Sequence, residues 1–95
     1  MKHYVLLKLA PGADVQKAEE RIWKTYEKLD KELTWLNYPK VFRSCAGGES
    51  DADIMIVADL DSDENLQSYL THPLYLKMEE DLKDVIAGRM LFAHY

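Results

Sequence analysis

The stretch DIMIVADL (Asp53–Leu60) decides the fold, because five of its residues in succession are apolar. In an extended chain, successive side chains point to opposite faces. Ile54 and Ile56 therefore lie on one face of the predicted strand, and Met55 and Val57 lie on the other. A strand that is apolar on both faces is expected to be covered on both sides.

The neighbouring segments place this strand in an antiparallel sheet. The segment KVFRSCA (Lys40–Ala46) is predicted to be a strand, and the loop that begins with Gly47-Gly48 and continues as ESDA is typical of a hairpin. Near the start of the chain, HYVLLKL (His3–Leu9) predicts another strand, and RMLFAHY (Arg89–Tyr95) predicts one at its end.

A long amphipathic helix is predicted between the first two strands. Asp14 can cap its first turn, since a carboxylate oxygen accepts hydrogen bonds from the free amide groups there. The apolar stripe that follows recurs at steps of three and four residues. Its members are Val15, Ala18, Ile22, Tyr26, Leu29, Leu33 and Leu36.

The second helical region is predicted to be broken. A short helix after Asp61 places Leu66, Tyr69 and Leu70 on one side, and a further helix is expected from about Leu74 to Val85. His72 stands between them, directly before Pro73, and proline disfavours helical geometry at the preceding residue. We therefore expect His72 to end the short helix and to satisfy its free carbonyl groups.

The order of elements is β-α-β-β-α-β, which predicts an α+β, ferredoxin-like fold with a four-stranded antiparallel sheet in one domain, residues 1–95. Helices on one side leave the other face uncovered, and six apolar side chains are expected there. Leaving each exposed forgoes about 1.5 kcal/mol, roughly 9 kcal/mol in all, against a typical net stability of about 5–15 kcal/mol. The sequence therefore predicts a homodimer in which two sheets close face to face. Four of the six are Tyr4, Leu6, Met55 and Val57, and the last strand adds the rest from one of its two apolar faces, which carry Leu91 with Tyr95 and Met90 with Phe92.

Composition narrows the classes of partner. The net charge is −5 and the lysines alternate with acidic residues, so neither a nucleic acid nor an anionic membrane is an expected partner. Cys45 is the single cysteine, which excludes an intrachain disulfide and a thiolate metal cage. We expect a cytoplasmic protein, since the apolar run after the N-terminus is shorter than the core of a secretion signal.

Three segments together are similar to one known family. HYVLLKL at the start, DADIMIVADLDSDENLQSYLTHPLYLKM (Asp51–Met78) in the middle and the final strand ending in HY resemble the stress-responsive A/B barrel (Dabb) family across essentially the whole chain. The most specific part is the apolar strand, the short helix and YLTHP in succession. The resemblance implies a dimeric α+β barrel. Most members have no established activity, and some plant members are polyketide cyclases that use no metal or cofactor.

The resemblance to those cyclases extends to His3, Tyr69 and His72. Their motif is HPxH, in which the second histidine acts as the base, whereas this chain has HPLY with Tyr75 in that place. A tyrosine is a poor base near neutral pH but can donate a hydrogen bond. His94 stands where such cyclases place an aspartate, and Ile54 stands in place of a strand histidine.

Several histidines and tyrosines are candidates for a functional site. His94 shares the alternation of Met90 and Phe92, and we expect it and His3 to open onto one cavity beside the helices. No histidine pair has His-x-His or HExxH spacing, so no metal site is predicted, and no cofactor is expected. The catalytic candidates are His3, His94 and His72. The predicted ligand pocket is formed by Tyr69, His72, Tyr75, His3, Val5 and Ile54.

The sequence leaves the function open among several classes. Our leading hypothesis is a homodimer in which each subunit has a mostly apolar pocket for a small organic molecule. One alternative is a cofactor-independent enzyme with cyclase-like aldol or lyase chemistry. A cofactor-free monooxygenase is another, because that group shares the dimeric barrel architecture, and a purely structural dimerisation module is the last. Fold analogy alone does not choose among them.

Overall fold

The computed structural model describes residues Met1–Tyr95 and confirms the predicted ferredoxin-like fold. One turn of 3-10 helix, Asp63–Asn65, leads into the second helix. The elements in chain order are β1 (Lys2–Leu9), α1 (Val15–Glu32), β2 (Leu36–Arg43), β3 (Ile54–Leu60), α2 (Leu66–Leu70), α3 (Pro73–Leu82) and β4 (Ile86–His94).

The four strands form one antiparallel sheet in the order β2-β3-β1-β4. The register sets the two faces: Val5 lies opposite Ile56 on one side and Leu91 on the other, while Tyr4 lies opposite Val57 and Phe92. The helices pack on the face that carries Val5. The buried apolar core there consists of Val5, Leu7, Leu9, Ala18, Ile22, Tyr26, Leu29, Leu36, Ile54, Ile56, Ala58, Leu60, Tyr69, Tyr75, Met78 and Leu82.

Helix α1 begins as predicted and ends earlier than its apolar stripe suggests. The Asp14 carboxylate accepts a hydrogen bond of 3.1 Å from the Lys17 amide, which caps the first turn. Leu33 leaves the helix with an extended backbone (φ −105°, ψ 104°), although its amide still closes the last helical bond to Leu29 at 2.8 Å. The predicted continuation to Leu36 is wrong, because Leu36 pairs with Leu60 in the sheet instead.

Strand β2 therefore occupies Leu36–Arg43, not the predicted Lys40–Ala46. Its pairing with β3 shifts between Asn37 and Lys40, where Tyr38 adopts a positive φ of 51° and Pro39 follows. Such a bulge bends an edge strand, and proline removes a backbone donor from it. The predicted β2–β3 hairpin itself is confirmed.

His72 lies at the break between α2 and α3 and serves both helices, since its backbone amide donates to the Tyr69 carbonyl of α2 at 3.1 Å. Its Nδ1 accepts a hydrogen bond of 3.1 Å from the Leu74 amide, which makes it the N-cap of α3, with Pro73 in the first helical position. The expected role at the end of the short helix is therefore confirmed for the backbone amide, while the side chain caps α3 instead, because extended geometry before proline (φ −62°, ψ 136°) also suits an N-cap.

The sheet face opposite the helices is uncovered and largely apolar, as predicted. Met90 and Phe92 are 67% and 60% exposed, and Phe42 from β2 joins them at 47%. Tyr4, Leu6, Met55 and Val57 form the partly buried centre of this open face. None of the helices is long and apolar enough to cross a membrane.

Candidate functional site

His3 lies on the helix-facing side of β1 and is almost completely buried. It sits between Ala58 of β3 and Ala93 of β4, and only 2% of it is exposed. Its ring meets Tyr69 of α2 edge-on, with 5.5 Å between the ring centroids. The small neighbours on both strands leave room for the imidazole ring at this end of the sheet.

Three tyrosines from three helices meet beside His3, with Tyr69 at their centre. We call His3, Tyr26, Tyr69 and Tyr75 the His3–tyrosine cluster. All three tyrosines are at most 2% exposed. The hydroxyl groups of Tyr26 and Tyr69 form a short hydrogen bond with each other. Tyr75 packs edge-on to Tyr69 with ring centroids 5.3 Å apart. The cluster thus ties α1, α2 and α3 to the sheet.

The Nδ1 atom of His3 has no hydrogen-bond partner, although it is completely buried. It is the only buried side-chain nitrogen or oxygen atom in the protein without one. A buried polar atom without a partner costs about 1–3 kcal/mol of desolvation energy, so such atoms are rare in folded proteins. His3 therefore holds an unused hydrogen-bonding atom inside an otherwise satisfied core.

Burial fixes the protonation states within the cluster. It lowers the pKa of His3, because the charged imidazolium is poorly solvated there. It raises the pKa of Tyr26, Tyr69 and Tyr75 well above the ordinary range, since burial also disfavours the phenolate. At neutral pH the cluster consequently combines a neutral imidazole with three protonated phenols.

Tyr75 connects the cluster to the protein surface. Its side chain lies beside Glu79, one turn further along α3, and the negative charge of that carboxylate adds to burial in raising the pKa of Tyr75. Glu79 forms an ion pair with Arg89 of β4, whose side chain is 39% exposed. The carboxylate thus lies between a buried phenol and an exposed guanidinium group.

His94 does not join His3. It lies on the open face, where its Nε2 is 3.0 Å from the Tyr4 hydroxyl and its ring stacks on the Tyr4 ring at 5.6 Å. The expectation of a shared cavity is wrong because the register places Ala93, and not His94, opposite His3. Adjacent residues of a strand point to opposite faces, so His94, one position beyond Ala93, lies on the other side of the sheet from His3.

The remaining predicted pocket residues are only partly brought together. Val5 forms the floor beside His3, two residues along β1. Ile54 pairs with Leu7, four residues along β3 from Ala58, which is roughly 13 Å at about 3.3 Å per residue. His72 lies outside, 3.7 Å from Glu32, in a groove that it shares with two lysines of α1.

Tyr26 is a member of the cluster that sequence reasoning assigned only to the core. Its position in the stripe of α1 signals burial but not which side chain its hydroxyl meets. The larger surface cavities, of about 300–670 Å³, are lined by residues other than these four. No three His, Cys, Asp or Glu side chains converge as metal ligands would.

The sequence matches one known protein family. The sequence profile described as Stress responsive A/B Barrel Domain (Dabb) matches residues 1–93. No curated protein sequence matches the chain significantly.

Solved structures with the same fold share little sequence with the chain. A dimeric ferredoxin-like protein from Bacteroides fragilis superposes with a TM-score of 0.82 at 20% identity, covering 96% of this chain and 90% of that one. A dimeric ferredoxin-like protein from Thermobifida fusca gives 0.76 at 20% identity, covering 96% and 85%. Hydroxynitrile lyase from Passiflora edulis gives 0.72 at 13% identity, covering 96% and 87%. At these identities the likeness establishes the fold.

Proposed function

This chain belongs to the stress responsive A/B barrel family, and we propose that it is a cytoplasmic homodimer that binds a small, mostly apolar organic molecule in each subunit. The proposed binding site is the His3–tyrosine cluster with Val5 as its floor. The observation that carries the proposal is the buried Nδ1 of His3 without a partner. A ligand hydroxyl or enol group that donates to this atom would recover the lost hydrogen bond.

The chemistry of the cluster defines the ligand that suits it. Neutral His3 supplies one acceptor, and the protonated phenols of Tyr69 and Tyr75 supply donors within an apolar surround. Binding sites for small molecules commonly combine an apolar lining with a few placed polar groups. A small molecule with one hydroxyl or enol group on an apolar frame matches that set, and no tightly bound cofactor is part of the proposal.

The open face supports the proposed homodimer. Its apolar centre and the exposed side chains of Phe42, Met90 and Phe92 form a surface that a second identical sheet can cover. The structural neighbours from Bacteroides fragilis and Thermobifida fusca are described as dimeric. The binding site lies on the other side of the sheet, so the two subunits keep separate sites.

Binding is tested with a set of small phenols and alcohols, monitored by amide chemical shifts in ¹H–¹⁵N NMR spectra. We expect shifts concentrated around His3 and Tyr69, and binding about two- to tenfold weaker in His3→Leu, since one hydrogen bond contributes about 0.5–1.5 kcal/mol. His94→Leu is the matched control, because it removes a histidine from the other face. Equal loss of affinity in both variants, or binding that leaves the cluster unshifted, contradicts the proposal.

A second candidate is a cofactor-independent enzyme with cyclase-like or lyase chemistry. The specific observation in its favour is that a neutral imidazole lies edge-on to Tyr69 in a buried cluster, where it can accept a proton. A structural neighbour is a hydroxynitrile lyase. His3 would act as base and the tyrosines as donors to a carbonyl or enolate, because the raised pKa of Tyr75 disfavours its phenolate.

Turnover separates the two candidates. For an enzyme, His3→Leu abolishes product formation from cyanohydrin or linear polyketide test substrates, while Tyr69→Phe slows it. If no such substrate is consumed by the unaltered protein although small phenols bind at the cluster, the binding function stands and the enzymatic one fails.

A further inference from the structure

We propose that the crevice between α3 and β4 is the entrance to the His3–tyrosine cluster, and that the Glu79–Arg89 ion pair closes it while positioning the Tyr75 side chain. The inference rests on the proposed function only for the purpose of the entrance. Burial and geometry on the helix side of the sheet support the entrance itself.

The boundary between buried and exposed residues runs between β1 and β4. On the helix-facing side of β1, His3, Val5 and Leu7 are only 1–2% exposed. On the same side of β4, Leu91 is 41% exposed and Ala93 is also exposed. The helices thus cover β1 completely but leave the neighbouring strand open.

The opposite side of the cluster is sealed. Ile22, Tyr26 and Leu29 of α1 are fully buried at 0% exposure. Any small molecule that reaches His3 from that direction would have to displace the entire packed face of α1. From β4, by contrast, the residue next to His3 in the sheet is Ala93, which presents a single methyl group.

Two partly exposed side chains join α3 to β4 on this open side. Arg89 lies opposite Leu7 in the register, and Glu79 stands one turn after Tyr75 in α3. Their ion pair is the one contact between charged side chains that joins α3 to β4. Glu79 also lies beside Tyr75, whose ring packs on the Tyr69 ring that meets His3. Separation of the pair therefore frees the buried phenol to move outward and loosens the cover that Tyr69 forms over His3.

A second ion pair on the same helix provides a matched control. Asp81 of α3 pairs with Arg21 of α1 at 2.8 Å, so it also ties α3 to the rest of the fold. It lies on the sealed side, away from Tyr75. Loss of either pair is expected to loosen α3 by a similar amount, since partly exposed ion pairs contribute little to stability. Only loss of the Glu79–Arg89 pair opens the proposed entrance.

The test measures access to His3 without any ligand. Diethyl pyrocarbonate acylates neutral imidazole, and peptide mass spectrometry reports the rate at each histidine, with His72 as the internal standard. We expect Glu79→Gln and Arg89→Gln to raise the rate at His3 about fivefold relative to His72. That factor corresponds to about 1 kcal/mol when 1.4 kcal/mol is tenfold. Arg21→Gln is expected to leave the ratio unchanged.

A charge swap then distinguishes a specific closure from general loosening. The double variant Glu79→Arg with Arg89→Glu restores the pair and is expected to return the rate at His3 toward that of the unaltered protein. An equal rise in Arg21→Gln, or no rise in either entrance variant, overturns the inference. Since acylation needs no ligand, the entrance can be established even if no small molecule binds, and its failure leaves the binding test unaffected.

Discussion

Replacing His3 with leucine is expected to stabilise the protein. The substitution removes the buried Nδ1 that has no partner, which recovers about 1–3 kcal/mol of desolvation cost. It also removes the edge-on contact with Tyr69 at 5.5 Å, a loss of about 0.5–1.5 kcal/mol. The expected net gain is therefore about 1 kcal/mol, or roughly 4–8 °C in Tm for a chain of this size.

The neighbouring tyrosine supplies a contrast of opposite sign. Tyr69→Phe removes one partner of the hydroxyl pair and leaves the Tyr26 hydroxyl buried without a partner. We expect a loss of about 1–3 kcal/mol. Two substitutions that each delete polar atoms from the same cluster should thus change stability in opposite directions.

Urea unfolding followed by circular dichroism measures both effects, at one fixed protein concentration because a dimer's stability depends on concentration. The slopes of the transitions should agree, so that the midpoints report stability alone. A loss of stability in His3→Leu of more than about 1 kcal/mol, with a well-packed variant core by NMR, would show that Nδ1 is satisfied in solution and would refute the reasoning.

Three further predictions follow from the same features. The double variant Tyr26→Phe/Tyr69→Phe should unfold in urea at nearly the same midpoint as the unaltered protein, because both partners of the hydrogen bond are removed together. Additive losses of stability would contradict this. Burial lowers the pKa of His3 below the ordinary value of 6.5, so in this pH range the unfolded chain binds a proton that the folded protein does not. The free energy of unfolding should therefore fall as the pH drops below 6.5. Urea unfolding at a series of pH values should show a smaller fall in His3→Leu. Phe92→Lys on the open face should give a monomer in sedimentation equilibrium, while Leu76→Lys, on the exposed side of α3, should leave the assembly unchanged.

The sequence was sufficient for the fold because its periodic signals were strong. The apolar strand at Ile54, the cap at Asp14 and the stripe of α1 each depend on local spacing, which is preserved in the structure. The excess of apolar residues on both sheet faces was also visible directly. The ends of the helices and strands were predicted less accurately. Leu36, for example, fits the apolar stripe of a helix as well as the strand in which it pairs with Leu60.

The site was predicted less well because it depends on register. His3 lies on the same face as Val5, which the alternation of residues within β1 predicts correctly. For β4 both faces are apolar, so no pattern showed whether Phe92 and His94 lie beside His3 or beside Tyr4. Alternation within a strand determines which of its residues lie on the same face. Only the pairing with the neighbouring strand determines whether that face is the one covered by the helices.

Local chemistry also left His72 ambiguous, because a residue before proline is extended at either end of a helix. Tyr26 was missed for a different reason. Contact between its hydroxyl and that of Tyr69 joins residues 43 positions apart. No spacing rule reports such a contact, which only the packing of α1 against α2 creates.

The bulge and proline of β2 have a consequence for misassembly. One outer edge of the sheet carries Pro39 and the shifted pairing at Asn37, which hinder the addition of another strand. The other outer edge, β4, runs for nine residues without a proline. An isolated subunit should therefore pair with another through β4 only, and a single proline in the outward-facing backbone of β4 should prevent that edge-to-edge pairing.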